Sequence, residues 1–235
     1  MALRALLFSR DPEIIRLVAE VLNALEIELT QSSVAQETVQ RLGAGRFDAI
    51  LVDNADASGA VVVLSAAKNL PSCQESIGIV LAVSRNSIGL AQGARSHMVL
   101  YRPLSANRLR NGVRSALGLR AEGEDARESH RASTNIPATL HGIGVDDTLI
   151  FITNLSAGGA ALKVGASVSS SSIQSIEFSL PDSAECLTTA VELVWRDVEG
   201  RIGVSFAHAS PAFRATLEKW LASQPAPQRA AQAGA

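Results

Sequence analysis

The sequence has few of the residues from which metal and disulfide sites are built. Its 2 cysteines, Cys73 and Cys186, lie far apart and form no Cys-x-x-Cys pair, so neither a disulfide framework nor a thiolate metal site is expected. Its 4 histidines are scattered without a His-x-x-x-His spacing, and zinc is therefore not expected. No nucleophile–base set and no cofactor-binding loop can be recognised, so we expect no enzyme and no cofactor.

Long apolar runs and a large excess of one charge are also missing. No run approaches the length needed to span a bilayer. The apolar residues 1–8 include Arg4 and lead into Asp11-Pro12 without a small-residue cleavage site, which predicts a buried strand rather than a signal peptide. The net charge of −2 argues against a general DNA- or RNA-binding protein, which needs a broad basic field. We therefore expect a cytoplasmic protein that can hold an anion only at a local cluster of cations.

The chain of 235 residues is long enough for two domains with separate cores. Over residues 1–119, short apolar strands alternate with helical patterns; the strands are expected at 3–8, 27–30, 47–52, 77–83 and 98–101. Asp11-Pro12-Glu13 is typical of a helix start, with proline in the first turn and early acids. Five such strands separated by helices predict a parallel sheet covered on both faces.

The order and size of these elements resemble the receiver domain of bacterial response regulators. This resemblance implies a flavodoxin-like, doubly wound sheet with Mg²⁺-binding acids after the first strand, a phosphorylated aspartate after the third and Lys-Pro after the fifth. Asp53 lies at the phosphorylated position, but Ser9-Arg10 follows the first strand and Arg102-Pro103 replaces Lys-Pro. We expect a degenerate receiver in which Asp53 pairs with Arg10 or Arg102. A regulator that is phosphorylated at Asp53 is the alternative.

Residues 120–134 are polar and charged and cannot bury apolar surface, which predicts a mobile linker. Residues 135–222 contain regularly spaced short strands, at 136–141, 149–153, 160–164, 173–180, 187–195 and 201–208. This spacing predicts a small antiparallel β-barrel. Pro211 begins a helix that carries Phe213, Leu217, Trp220 and Leu221 on one face and could close the barrel. The Ala/Gln/Pro-rich residues 223–235 predict a disordered tail.

Two short motifs in this half suit a small phosphate-containing ligand. Arg127 and Arg131 are four residues apart in the linker, and a guanidinium group can bind a phosphate or the O6 and N7 atoms of guanine. Asn154 and Ser156 offer amide and hydroxyl groups. They are followed by a glycine pair, Gly158 and Gly159, which lets the backbone turn closely beside a ligand.

In this order, and followed by Val194-Trp195 and the alternating residues 202–206, these motifs resemble the PilZ domain, a bacterial receptor module for cyclic di-GMP. The resemblance covers roughly residues 122–222. It implies that the ligand-binding residues are Arg127, Arg131, Asn154, Ser156, Gly158 and Gly159. The expected protein is a cyclic di-GMP receptor or adaptor whose output is a ligand-dependent contact with an unknown protein partner. A PilZ-like interaction module that has lost ligand binding is the alternative.

Overall fold

A computed structural model of the chain describes residues 2–83, 96–119, 131–142, 145–164, 173–181, 185–206 and 208–224. The chain divides into two compact units. The first unit consists of Met1–Arg120 together with Val194–Glu199, and the second of Ala121–Leu193 together with Gly200–Ala235. Most of the predicted linker, residues 120–130, and the tail from residue 225 onward lie outside the described residues.

The first unit contains the predicted alternation of strands and helices. Its strands are β1 (Arg4–Phe8), β2 (Glu28–Ser32), β3 (Ala49–Asp53), β4 (Ile77–Ala82) and β5 (Met98–Tyr101). Its helices are α1 (Pro12–Ala24), α2 (Ala35–Ala44), α3 (Ala57–Asn69) and α4 (Ala106–Ala116). The five strands are parallel and follow the order β2-β1-β3-β4-β5. This is the flavodoxin-like order of doubly wound sheets, and the predicted receiver-type fold is confirmed.

Local sequence explains why the polar residues of this unit collect at one edge of the sheet. All five residues of β3 are buried, as expected for a central strand covered on both faces, and the last of them is Asp53. Asp11 caps α1 by accepting hydrogen bonds from the backbone N–H groups of Glu13 and Ile14, and Pro12 is the first helical residue. The carboxyl ends of parallel strands meet at a common edge, where such ends form binding sites.

A later segment supplies a sixth strand to the first unit. The predicted strand at 187–195 is divided at Val191 into β10 (Cys186–Ala190) and β11 (Glu192–Asp197). Residues 195–197 of β11 pair antiparallel with residues 98–100 of β5. Trp195 packs, partly buried, against the apolar core of the first unit.

The second unit is built from antiparallel strands and one helix. The strands are β6 (Arg131–Gly142), β7 (Val145–Ser156), β8 (Gly159–Lys163), β9 (Ile173–Ser179), the strand β10 given above and β12 (Arg201–Ser205). They follow the order β10-β9-β6-β7-β8-β12. Strand β6 begins at Arg131, so residues 131–134 belong to a strand and not to the predicted linker. The physical reason is backbone pairing with the end of β7, which also buries Ala132 against the core.

The sheet of the second unit curls around the helix α5 (Pro211–Ser223). The ring of Phe213 lies 6.1 Å from that of Phe178 in β9 and 5.3 Å from that of Phe206, directly after β12. In a flat sheet these two strands, four steps apart, would be separated by roughly 19 Å. Phe213, Leu217 and Leu221 are buried, whereas Trp220 is half-buried. The curvature and the apolar contacts of α5 agree with the predicted barrel closed by a helix.

A bulge at Thr153 interrupts the regular alternation of β7. Ile152 pairs with Leu162 and Asn154 with the next residue of β8, Ala161, so Thr153 has no partner on β8. The Thr153 hydroxyl donates a hydrogen bond to the carbonyl oxygen of Ala161 (3.1 Å), which supports the irregular backbone. Ile152 faces the core before the bulge, and Leu155 faces it after the bulge.

Candidate functional site

The start of β6 and the end of β7 place the backbone of Arg131 beside the Asn-x-Ser motif. The Cα partners are Arg131 with Ser156, Ala132 with Leu155, and Ser133 with Asn154. The backbone of the second arginine of the Arg-x-x-x-Arg motif thus lies directly across from the serine of the Asn-x-Ser motif. Arg127, the first arginine of that motif, lies outside the described residues.

Asn154 and Ser156, the two candidate ligand-binding residues on β7, differ in whether their side chains are already hydrogen-bonded within the protein. Ser156 is buried, and its hydroxyl donates a hydrogen bond of 3.0 Å to the carbonyl oxygen of Gly159. Ser156 therefore closes the turn between β7 and β8. Asn154 is half-buried, and within the described part of the chain its carboxamide makes no side-chain hydrogen bond. Both a donor and an acceptor of Asn154 are therefore available to a ligand.

The glycine pair of the turn has two different environments. A Cβ atom on Gly159 would overlap the backbone carbonyl oxygen of Val204, because β12 passes very close to the start of β8. A Cβ atom on Gly158 would meet nothing within 4 Å, while its carbonyl oxygen accepts a hydrogen bond of 2.9 Å from the N–H of Phe206. Glycine at 159 is thus required by strand packing, whereas the space beside Gly158 is open.

A second polar cluster lies at the carboxyl edge of the parallel sheet in the first unit. Asp53 is 1 % exposed, and Arg102 donates to its Oδ1 at 2.8 Å. The same guanidinium donates to Oδ2 of Asp11 at 2.9 Å. The hydroxyl of Ser9 donates to Oδ2 of Asp53 at 2.7 Å, and the backbone N–H of Ala55 donates to its Oδ1 at 3.1 Å. Arg102 therefore joins two carboxylates.

Of the two expected partners of Asp53, the structure selects Arg102 over Arg10. Arg10 forms an ion pair of 3.2 Å with Asp56, and its Nε donates to the carbonyl oxygen of Ser33. Arg10 is thus engaged elsewhere and does not pair with Asp53. The physical reason is that Arg10 is largely exposed. Arg102 directly follows β5 at the carboxyl edge of the sheet, and its mostly buried guanidinium contacts the Asp53 carboxylate there.

The ionisation of this cluster follows from its contacts. The hydrogen bond from Arg102 is the main cause that lowers the pKa of Asp11; burial opposes this effect, and the N–H groups of α1 add to it. Burial alone would lower the pKa of Arg102. The hydrogen bonds and negative charges of Asp11 and Asp53 outweigh it and raise the pKa of the guanidinium. Asp11 and Asp53 therefore hold Arg102 in its charged form.

The cluster does not fit the magnesium ion that receiver-type folds bind at this edge. Mg²⁺ needs several oxygen ligands in near-octahedral geometry. Here Asp11 and Asp53 each direct one oxygen to the Arg102 guanidinium. Among the described residues no group of three or more His, Cys, Asp or Glu side chains is arranged to hold a metal ion. In the sequence, the departure that indicates this poor fit for Mg²⁺ is Arg102, which replaces the lysine that the receiver resemblance implies.

Comparison with known proteins agrees with this division of the chain. The family model of the PilZ domain matches residues 125–223. A search of the curated proteins finds no match. None of the helices among the described residues is both long and apolar enough to cross a membrane.

Solved structures of low sequence identity resemble parts of the chain. The receiver domain of the sensor histidine kinase PA1611 from Pseudomonas aeruginosa PAO1 is 16% identical, with 50% of this chain and 99% of that chain covered and a TM-score of 0.46. A response regulator receiver protein from Burkholderia phymatum is 19% identical, with 52% and 99% covered and a TM-score of 0.43. The inhibitor of motility MotI/DgrA of Bacillus subtilis is 18% identical, with 41% and 49% covered and a TM-score of 0.33.

The receiver-type fold of the first unit follows from its own strand order. The relation to the PilZ family follows from the match to the family model. Residues 125–223 match the family model of the PilZ domain, and the half of the chain that precedes them has a receiver-type fold.

Proposed function

We propose that this chain is a cytoplasmic receptor for cyclic di-GMP that acts as a signalling adaptor and has no catalytic activity. Its PilZ domain belongs to a family of ligand-binding modules for this nucleotide. The observation that carries the proposal is the pairing of Arg131 with Ser156, because it joins the two motifs that the resemblance assigns to the ligand.

In this proposal each residue has a chemical role. Arg127 and Arg131 hold the phosphates or the guanine acceptors of the dinucleotide, which guanidinium groups bind with two parallel hydrogen bonds. Asn154 supplies a free carboxamide at the end of β7. Ser156 and Gly159 shape the turn, and Gly158 leaves room beside it for the ligand.

The receiver-type half has a separate role in the proposal. Arg102 supplies the cation that neutralises Asp11 and Asp53, so this half is not switched by Mg²⁺-dependent phosphorylation. We propose that it serves as a platform for a protein partner. Ligand binding at residues 127–131 then changes either the contacts between the two halves or the contacts with that partner.

Isothermal titration calorimetry with cyclic di-GMP tests the ligand. Wild-type protein is expected to bind, and Arg127→Ala and Arg131→Ala are each expected to weaken binding at least tenfold, since a hydrogen bond to a charged group contributes about 1.5–3 kcal/mol. Asn154→Ala is expected to weaken binding without loss of stability. Arg214→Ala is the matched control, because this exposed arginine lies on α5, outside both motifs.

Two results would contradict the proposal. Absence of binding by the folded wild-type protein would favour an interaction module without ligand. Binding that both arginine variants retain at full affinity would place the ligand elsewhere. Small-angle X-ray scattering with and without saturating cyclic di-GMP tests the interdomain effect separately, and identical profiles would restrict the output to partner contacts.

A further inference from the structure

The outer face of β6 and β7 carries large apolar side chains that the fold does not bury. On β7, Leu149 is 71% exposed and Phe151 is 42% exposed. Across the ladder on β6, Phe151 pairs with Pro137, which is also exposed, and Leu149 pairs with Thr139. These four residues are cross-strand neighbours on the side of the sheet away from the core. We call them the β6–β7 patch. An exposed apolar group of this kind typically marks an interaction site.

One side of the β6–β7 patch is basic. Lys163 on β8 is the cross-strand partner of Phe151, and Arg201 on β12 is the partner of Lys163. Both side chains are exposed. Lys163 makes no ion pair within the described ranges of the chain. A cation without a partner, directly beside exposed apolar side chains, can bind an acid from another molecule.

The opposite side of the β6–β7 patch is acidic. Glu177 on β9 is the cross-strand partner of Thr139. Asp147 precedes Leu149 on the same face of β7, and its carboxylate lies 2.7 Å from Nδ1 of His141. The Nε2 atom of that histidine lies 3.8 Å from the Glu177 carboxylate. Two carboxylates thus share one imidazole, and both keep exposed surface.

We propose that the β6–β7 patch binds a second copy of this chain and forms a symmetric dimer. In this dimer a two-fold axis lies in the plane of the patch and runs between β6 and β7, parallel to the strands. It places the apolar side chains of the two copies face to face. The same axis brings Lys163 of each copy opposite Glu177 of the other. Because the acidic and basic sides flank one apolar centre, the surface is complementary to itself, as an isologous interface requires.

This self-complementarity favours a second copy over an unrelated partner. A peptide or a membrane of one charge would meet one side of the patch favourably and the other side unfavourably. The same chain matches both sides at once. The proposal does not rest on ligand binding, because none of the residues of the two predicted motifs takes part in it.

Sedimentation equilibrium over a range of protein concentrations tests the dimer with the full chain. Wild type is expected to dimerise in the micromolar range, and Leu149→Asp or Phe151→Ser is expected to raise the dissociation constant roughly tenfold or more, as loss of a buried apolar anchor does. Val61→Asp is the control, since Val61 is 43% exposed on α3 and lies outside the patch. The high exposure of Leu149 makes unfolding of its variant unexpected, and thermal melting verifies the fold of each variant.

A charge-swap series distinguishes this geometry from other dimers. Lys163→Glu and Glu177→Lys are each expected to weaken association, because each places like charges opposite one another across the interface. The double variant, which carries both changes, is expected to regain wild-type association. A monomeric wild type at all concentrations, unchanged association of Leu149→Asp, or a double variant as weak as the single ones would overturn the proposal.

Discussion

The guanidinium of Arg102 lies 2.8 Å from the carboxylate of Asp53, the residue at the end of β3 that is almost fully buried. Asp53 also accepts hydrogen bonds from Ser9 and Ala55, so both of its carboxylate oxygens are hydrogen-bonded. A buried carboxylate is costly unless it is paired and hydrogen-bonded, and Arg102 supplies the opposite charge for both Asp53 and Asp11.

Replacing Arg102 by alanine is therefore expected to destabilise the first unit. Removal of one partner from a buried pair costs about 3–5 kcal/mol; since Arg102 is 23% exposed and Asp53 keeps two other donors, we expect about 1–3 kcal/mol. Urea denaturation measures the change. The control is Arg41→Ala, which removes an exposed pair of 2.6 Å with Glu37 and is expected to cost about 0.3–0.5 kcal/mol. Equal losses for both variants would contradict the assignment.

Acetyl phosphate with Mg²⁺ is expected to leave Asp53 unmodified. Phosphoryl transfer needs a metal ion to neutralise the developing charge, and Arg102 holds the oxygens that the metal would need. Intact-mass spectrometry after incubation gives the answer, with Asp53→Asn as the reference. Stoichiometric phosphorylation that is absent from the Asp53→Asn protein would show a functional receiver.

Acidification is expected to reveal the contribution of Asp11. Its pKa is lowered in the folded state, so its stabilising contribution is fully present above the unfolded value of about 3.9 and is lost as the pH falls through the folded pKa. Asp11→Asn keeps a side-chain oxygen that can cap α1 but removes the charge. The difference in free energy of unfolding between wild type and Asp11→Asn should stay constant above about pH 5 and shrink below about pH 4. A difference that does not change in acid would contradict this.

The glycine pair offers a matched test of the turn at the proposed ligand site. Gly159→Ala is expected to lower the free energy of unfolding by about 1–3 kcal/mol, because the new methyl group meets the backbone of β12. Gly158→Ala should change it by no more than about 0.5 kcal/mol, because its surroundings are open. Thermal or urea denaturation of both variants measures the contrast. Equal effects would show that the close approach of β12 is not rigid.

The sequence predicted those parts of the molecule that depend on local patterns. The strands of the first unit are continuous apolar runs because they are covered on both faces, and α1 is marked by Asp11 and Pro12 at its start. Of the residues that the PilZ resemblance implies as ligand-binding, Arg131 and Ser156 pair on neighbouring strands, and their role at a ligand remains a prediction.

Other features depend on pairing between distant segments and could not be predicted locally. Whether Arg10 or Arg102 reaches Asp53 depends on how β1 and β5 are placed in the sheet. Arg131 lies in a sequence without apolar periodicity, yet it begins a strand because the end of β7 supplies its hydrogen-bonding partners. The division of the predicted strand at Val191 reflects the different partners of its two parts, since β10 pairs with β9 and β11 with β5.

The bulge at Thr153 determines which side chains at the end of β7 face the core. If Thr153 paired regularly with β8 instead of bulging, the in–out alternation would continue from Ile152 without a break, which would turn Leu155 to solvent and direct Asn154 and Ser156 into the apolar interior. The extra residue lies outside the ladder with β8, so Asn154 and Leu155 pair with Ala161 and Ala160. The direction in which the end of this strand presents its polar side chains thus depends on leaving one residue unpaired.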